Sequence, residues 1–205
     1  MFDSSGEQND AHEFLVFVLD KLNDEILKMS KYLNVDLNIN KKIQTEETEW
    51  EEVKKGGKRM KQVNSVDSFQ ISIIGNIFQG ILKHELESKG NSLSKCNIEP
   101  FFVLSLDYGE DSLISCFEKF FSRRKIEHDV APIFQKSYIE KLPKLLIVHL
   151  KAFYFDKNTK KIVKINKEIK YDPVLKIDKN FVTPSMQNKY KNCEYELISG
   201  IFYKF

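Results

Sequence analysis

The feature that most constrains the fold is an amphipathic segment near the start of the chain, residues 10–28. Its apolar side chains recur every three or four residues, which is one face of an α-helix: Ala11, Phe14, Leu15, Val18, Leu22 and Ile26. Asp10 and Glu13 resemble a capping box in which Asp takes the place of Ser or Thr. Phe17 and Leu19 widen the apolar face, so we expect this helix to pack on more than one side.

From residue 68 onward the pattern favours strands. One further helix is predicted after the capping pair Asp111-Ser112, because its apolar residues share a face: Leu113, Cys116, Phe117, Phe120 and Phe121. The continuous apolar run 145–155 predicts a central strand. The other predicted strands and turns are a strand over 69–73, a turn at Gly75-Asn76, strands over 77–86 and 101–107, a turn at 156–159, and strands over 163–169, 174–177 and 195–203. The fold class predicted is α+β, with a helix first and then a mostly antiparallel sheet with one embedded helix.

Residues 34–67 differ in character from the rest of the chain. An acidic stretch, 45–52, is followed by a basic stretch, 54–61, and apolar periodicity is lost. We interpret the segment as a charged, mobile insertion. Trp50, the only tryptophan, lies inside it. Trp50 either packs the insertion against the body of the protein or contacts a partner, and the first reading is favoured.

Composition excludes several classes of protein. The chain has 32 Lys and Arg residues against 30 Asp and Glu residues, for a net charge of +2. Only three of the basic residues are arginines, which argues against nucleic acid as a partner. No apolar run approaches the roughly 20 residues of a membrane-spanning helix. The three cysteines, Cys96, Cys116 and Cys193, are widely spaced, which favours a reducing compartment. The cysteines thus predict a reducing, intracellular location, and together with the family resemblance given below they lead us to expect the cytoplasm, with the nucleus as a second location.

The residues themselves do not define a reaction centre. Cysteine and histidine pairs at zinc-binding spacing do not occur, and neither do phosphate-binding glycine motifs, so we predict no metal and no cofactor. Cys116 falls on the apolar face of the second helix and reads as a packed thiol, while Cys96 and Cys193 have no base assigned to them. His149 lies in the most apolar strand and reads as a core residue rather than a catalytic one.

Three motifs carry a resemblance to a known family. The segment Gln8-Asn9-Asp10-Ala11-His12-Glu13-Phe14-Leu15 resembles the second conserved box of the ubiquitin-specific proteases. The run from Leu142 to Phe153 is similar to the family's Leu-Pro-x-Val-Leu-Ile-x-His-Leu-Lys-Arg-Phe strand, with Ala152 in place of the arginine. The third is Pro100-Phe101-Phe102-Val103-Leu104-Ser105-Leu106-Asp107. One branch of the family is also matched by Glu49-Trp50-Glu51-x-Val53 and Phe78-x-Gly80, and that branch lacks the usual zinc cysteines.

The resemblance implies a papain-like cysteine-protease fold with thumb, palm and fingers, and the activity of a cysteine-type deubiquitinase. Such enzymes cleave the isopeptide bond after ubiquitin's C-terminal glycine, using a thiolate that a histidine generates. Asp10 and Glu13 match family positions near the channel that holds ubiquitin's arginine-containing tail, so they are the predicted ubiquitin-tail-binding residues. Phe101 and Phe102 either support ubiquitin or belong to the core.

The resemblance also sets an expectation about activity. The family's nucleophilic cysteine lies well upstream of the box at Gln8, and its histidine box follows the strand that begins at Tyr195. We therefore expect residues 1–205 to be a partial catalytic domain, without nucleophile or base, that is inactive by itself. The alternatives are a ubiquitin-binding pseudo-enzyme and an interaction scaffold without a ubiquitin role. The oligomeric state is left open.

Overall fold

The computed structural model describes residues 11–33, 50–53, 59–62, 72–88, 91–126, 133–165 and 167–201. It contains three α-helices, twelve β-strands and two short 3₁₀ turns in these ranges. The architecture is α+β, as the sequence predicts. The first helix precedes a series of small sheets, with the third helix embedded between strands.

The first helix, α1, spans Ala11–Leu33, so the predicted helix extends five residues beyond residue 28. Leu19 is its one buried apolar residue, and Ser30, three turns further along the helix, is also buried. Two residues of the predicted apolar stripe, Phe14 and Leu22, are exposed. The pattern therefore predicts the helix correctly, whereas its burial differs from expectation.

The second helix, α2, spans Ile73–Phe78. It corrects the predicted turn at Gly75-Asn76, and it corrects the predicted strand over 69–73 at Ile73 alone. Ser72 begins this helix, because its Oγ accepts a hydrogen bond from the Gly75 backbone N–H at 3.1 Å. Gly75 is buried inside the helix rather than placed in a turn. The N-cap at Ser72 is the physical reason why a helix begins at Ile73, and the alternation of Phe69, Ile71 and Ile73 does not reveal it. Phe69 and Ile71 lie outside the described ranges.

The largest sheet has four antiparallel strands in the order β4-β3-β7-β6. The strands are β3 (Gly80–Ser88), β4 (Asn91–Phe101), β6 (Arg124–Ile126) and β7 (Ile133–Lys141). Gly80 pairs with Phe101 across β3 and β4, and a Cβ atom at Gly80 would lie 2.2 Å from the Phe101 ring. Only glycine allows this close approach.

The core is centred on the third helix, α3 (Leu113–Phe121), which Ser112 caps as predicted. Cys116, Phe117 and Phe121 of α3 are buried, which confirms the predicted apolar face and the interpretation of Cys116 as a packed thiol. Phe117 packs against Phe121 and against Phe181, at ring-centroid distances of 6.2 and 6.0 Å. Phe101 belongs to the same buried cluster, so of its two predicted roles the structure assigns it to the core.

The run 145–155 is not one central strand. It forms β8 (Ile147–Lys151) and β9 (Phe153–Asp156), separated at Ala152. The Ala152 carbonyl oxygen accepts a hydrogen bond from the Ile165 N–H at 2.7 Å, and the chain turns there out of one sheet into another. β8 pairs in parallel with β5 (Val103–Asp107), an exception to the antiparallel pattern.

Two further antiparallel strand pairs complete the described fold. β9 pairs with β10 (Lys161–Lys164), and β11 (Val174–Lys176) pairs with β12 (Glu194–Glu196). The predicted turn at 156–159 is confirmed, because the Asp156 carboxylate accepts hydrogen bonds from the Asn158 N–H and the Thr159 hydroxyl.

Within the predicted insertion 34–67, β1 (Trp50–Val53) pairs with β2 (Arg59–Gln62). The side chain of Trp50 lies outside what the structure describes, so both readings of its role stay predictions, as does the mobility of the segment. Among the described helices, none combines the length and apolar character that crossing a bilayer requires.

Candidate functional site

The first turn of α1 lies against β8 through a pair of histidine rings. The His12 and His149 rings are stacked, with centroids 3.8 Å apart and planes inclined by 22°. The His149 Nδ1 atom is 3.3 Å from the Ser105 hydroxyl on the neighbouring strand β5. His149 is half-buried rather than part of the core, and it links the N-terminal helix to the β5–β8 pair.

Glu13, one of the two predicted ubiquitin-tail residues, lies in this same first turn and is exposed. A carboxylate there faces the positive end of the helix dipole, so it stabilises α1 whether or not it also binds a ligand. Asp10 lies outside the described residues, and the capping contact predicted for it stays a prediction.

A second contact holds the middle of α1. The Ser72 hydroxyl donates a hydrogen bond to the Asn23 side-chain oxygen at 2.6 Å, and Ser72 is fully buried. Since Ser72 also caps α2, this one hydroxyl joins the two helices. The carbonyl oxygen of Ile77 in α2 in turn accepts hydrogen bonds from the N–H groups of Lys144 and Leu145, just before β8. α2 therefore bridges α1 and the strand that carries His149.

A cleft of about 420 Å³ opens beside the four-stranded sheet. Glu99 on β4 and His84 on β3 line this cleft, and they form a polar row with Ser137 on β7, which lies outside the lining. His84 Nδ1 is 2.8 Å from the Ser137 hydroxyl, and His84 Nε2 is 3.3 Å from a Glu99 carboxylate oxygen. Ser137 and His84 are both buried. The row has the residue types of a hydrolytic triad, but a hydroxyl that is 1% exposed cannot reach a substrate, so its role is to hold the strands together.

The three thiols lie in settings that keep them protonated. Burial is the main cause that raises the pKa of Cys96, Cys116 and Cys193 above the ordinary thiol value. Cys96 lies within β4 and pairs with Glu85, whereas His84 pairs with the next residue, Asn97. Because neighbouring side chains on a strand point to opposite faces, Cys96 and His84 lie on opposite faces of the sheet. This pair cannot form a Cys–His dyad.

The described residues contain no group of three or more His, Cys, Asp or Glu side chains arranged to hold a metal ion. His84 is instead occupied by Ser137 and Glu99, as described above.

Comparison with known proteins shows the family. The family model for ubiquitin carboxyl-terminal hydrolases matches residues 1–204, and the chain belongs to this family. Ubiquitin hydrolase B of Dictyostelium discoideum is 33% identical over 188 residues, covering 83% of this chain and 40% of that protein. Ubiquitin carboxyl-terminal hydrolase 10 of Rattus norvegicus is 26% identical over 226 residues, covering 97% of this chain and 28% of that protein. The chain thus spans well under half the length of these two relatives.

The fold is also found among solved structures. The SAGA Ubp8/Sgf11/Sus1/Sgf73 DUB module bound to ubiquitin aldehyde matches with a TM-score of 0.55 at 23% identity, covering 86% of this chain and 33% of that one. The predicted class, a papain-like α+β fold of the ubiquitin-specific protease type, is confirmed.

Sequence reasoning found the box around Glu13 but missed the stacking of His12 on His149. The two residues are 137 positions apart, and their contact depends on how α1 sits against β8. A signal was present, because both histidines lie inside motifs that resemble the family. Neither motif indicates that the His12 and His149 rings are in contact.

Proposed function

We propose that this chain is part of a ubiquitin-specific protease domain and acts in the removal of ubiquitin from protein conjugates by a cysteine-type deubiquitinase. The observation that carries the proposal is the meeting of two family motifs at one site: the box in the first turn of α1 and the strand β8 contact each other through His12 and His149. The names of the relatives support ubiquitin as the partner.

Within this function, Glu13 and Asp10 bind the C-terminal tail of ubiquitin. Support comes from the exposure of Glu13 in a helical turn held against β8, which leaves its carboxylate available to a cation. The arginines of the tail are the complementary groups, because a guanidinium and a carboxylate form charge-assisted hydrogen bonds. The helix dipole and a bound tail can both engage the same carboxylate.

The test is a titration of the 205-residue chain with isotope-labelled ubiquitin, alongside ubiquitin shortened by its C-terminal tail. We expect Glu13→Gln and Asp10→Asn each to weaken binding by roughly three- to tenfold, which is typical of one exposed charge-assisted contact. Asp24→Asn removes an exposed carboxylate from the same helix and is the matched control. Equal binding of intact and shortened ubiquitin, or equal loss with the control, would contradict the tail-binding role.

We further propose that the chain does not hydrolyse ubiquitin conjugates when tested in isolation. The supporting chemistry is that burial raises the pKa of all three thiols, whereas a nucleophilic cysteine needs a lowered one. Incubation with a fluorogenic ubiquitin C-terminal substrate should therefore give no turnover. Thiol-dependent release of the fluorophore, abolished by Cys96→Ser or Cys193→Ser, would overturn this part of the proposal.

The same experiments separate a ubiquitin-binding role from a scaffold role. Ubiquitin binding supports the first, and absence of binding supports a scaffold without a ubiquitin role. A cytoplasmic and nuclear location belongs to the proposal as well, supported by three cysteines that are all free thiols. Fluorescence microscopy of the tagged chain tests it.

A further inference from the structure

The strand β8 has two faces, and the first turn of α1 contacts the face that points away from the core. Val148 and Leu150 pack against the buried cluster around α3. Because side chains alternate along a strand, His149 between them points to the opposite face. The His12 ring is stacked on the His149 ring there, with centroids 3.8 Å apart. The stack therefore attaches the start of α1 to the sheet and is not part of the packing around α3.

The His149 ring is also held from the side of the sheet. Ser105 is the register partner of His149 on the parallel strand β5, and its hydroxyl lies 3.3 Å from the His149 Nδ1 atom. The terminal torsion of a histidine side chain is broad when nothing restricts it. A contact at the ring edge together with a ring stacked on one face restricts that torsion. His149 thus offers α1 a ring of fixed position and tilt.

The direction in which Glu13 leaves the helix depends on this stack. Glu13 follows His12 directly and is exposed. Successive side chains of an α-helix are about 100° apart around its axis. When the His12 ring lies against His149, the first turn cannot rotate about the helix axis, and the Glu13 side chain starts at a fixed angle to β8.

The hydrogen bond in the middle of α1 is too distant to have the same effect. Asn23, which contacts Ser72, lies 11 residues after His12. This separation corresponds to about 16 Å along the helix axis. The first N–H groups of a helix lack partners within the helix, so a helix start frays unless other contacts hold it. The stack provides such a contact within the first turn itself.

From these contacts we infer that His149 is a positioning residue for the Glu13 carboxylate. Through the stacked ring of His12, it orders the first turn of α1 in the orientation that the C-terminal tail of ubiquitin meets. The inference rests on the proposed function of Glu13 and adds the residue of a distant strand that sets the geometry of the contact. His149 itself does not touch the tail. An ordered carboxylate loses less conformational entropy when an arginine binds to it, so the ordering raises affinity.

The experiment titrates the 205-residue chain and its variants with isotope-labelled ubiquitin, either intact or lacking its C-terminal tail. His149→Leu removes the stacked ring and should weaken binding of intact ubiquitin by roughly three- to fivefold. Binding of the shortened ubiquitin should change by less than about twofold, because the tail contact is already absent. His149→Gln keeps a planar group that can hydrogen-bond to Ser105, and its affinity should return to within about twofold of the unmodified chain.

A double variant separates positioning from direct contact. If His149 acts through Glu13, then His149→Leu should weaken binding by less than about 1.5-fold once Glu13→Gln has removed the carboxylate. Losses that multiply in the double variant would show that His149 contributes to binding without Glu13. That result would overturn the inference.

The matched control is Asn23→Ala, which loosens the middle of α1 and leaves the first turn untouched. We expect it to lower the free energy of unfolding while the affinity for intact ubiquitin stays within about twofold of the unmodified chain. Equal weakening of binding in Asn23→Ala and His149→Leu would attribute the effect to a general loosening of α1. Positioning by His149 would then be refuted.

A measurement without ubiquitin tests the ordering directly. NMR relaxation of the backbone amides of residues 11–15 should show more picosecond-to-nanosecond motion in His149→Leu than in Asn23→Ala, and near-unmodified order in His149→Gln. Unchanged order in His149→Leu would overturn the inference whatever the affinities are. The relaxation result still decides the ordering role if Glu13→Gln leaves ubiquitin binding unchanged, an outcome that contradicts the proposed function of Glu13.

Discussion

The helices α1 and α3 show the same type of apolar pattern, yet they are packed very differently. α3, nine residues long, buries Cys116, Phe117 and Phe121 against the sheet and the 3₁₀ turn at Lys179–Phe181. α1, 23 residues long, buries Leu19 and Ser30, and Phe14 on its apolar stripe is 52% exposed. An apolar period therefore specifies a helix and the face it offers. What covers that face is decided by other parts of the structure.

The largest expected effect is on the α3 side of this comparison. Phe117→Ala leaves a cavity among Phe121 and Phe181 and should lower the free energy of unfolding by about 3–5 kcal/mol. Phe14→Ala in α1 removes the same ring from a half-exposed site and should cost about 1 kcal/mol or less. Urea denaturation followed by circular dichroism measures both. Similar losses in the two variants would break the comparison.

The next effect concerns the close approach of Gly80 in β3 to the Phe101 ring in β4. Gly80→Ala introduces a Cβ atom 2.2 Å from the Phe101 ring, so the ring or the strand must shift. We expect a loss of about 1–3 kcal/mol, typical of overpacking. Gly109→Ala is the comparison variant. Its new Cβ meets nothing within 4 Å, whereas the φ of 149° at Gly109 is unfavourable for alanine, so this variant measures a backbone cost without a steric clash. Full stability in Gly80→Ala would contradict the packing described.

A smaller effect tests how α1 is attached. Ser72→Ala removes the N-cap of α2 and the hydrogen bond to Asn23, and we expect a loss of about 1–2 kcal/mol. Asn23→Ala removes the second interaction alone. A double-mutant cycle, read by denaturation and by hydrogen exchange in α1, gives the coupling between them. If coupling is absent, the 2.6 Å contact does not hold α1 in solution.

The smallest expected effect is a pH dependence of the free energy of unfolding at Tyr195, which packs against the core. Burial is the main cause that raises the pKa of Tyr195, whose hydroxyl donates a hydrogen bond to the Pro143 carbonyl oxygen. The unfolded chain ionises this tyrosine near pH ~10, while the folded chain keeps it protonated. The stabilisation is therefore complete below that pH and is lost as the pH rises above it. Tyr195→Phe should cost about 1 kcal/mol at neutral pH and flatten the alkaline loss, as thermal melts from pH 7 to 11 will show.

Local patterns predicted the parts of the fold that depend on local interactions. The boundaries of α3 follow from Ser112 and from a face buried as a unit, and the turn at 156–159 follows from Asp156. The strand predicted over 145–155 was wrong in its continuity, because β8 pairs with β5, whereas β9 pairs with β10 in another sheet. Apolar character along the run gives no sign of this change of partner at Ala152.

The candidate site was likewise predicted only in its local part. Glu13 could be identified from its motif and lies in the first turn of α1 as expected. The His12–His149 stack could not, because it depends on the position of a helix relative to a strand far along the chain. Such contacts follow from tertiary packing and are not encoded in any single window of sequence.

The parallel pairing of β5 with β8 has a consequence for how the chain folds. Ser105 and His149 face each other across this pair although they are 44 residues apart, and α3, β6 and β7 lie between them in sequence. The loop-closure entropy for this pairing must be overcome before the hydrogen bonds form, whereas α3 and the turn at 156–159 form from local contacts. During synthesis, β5 cannot pair with β8 until β8 has left the ribosome. The position to which α1 binds through His149 therefore forms only once this non-local pairing is complete.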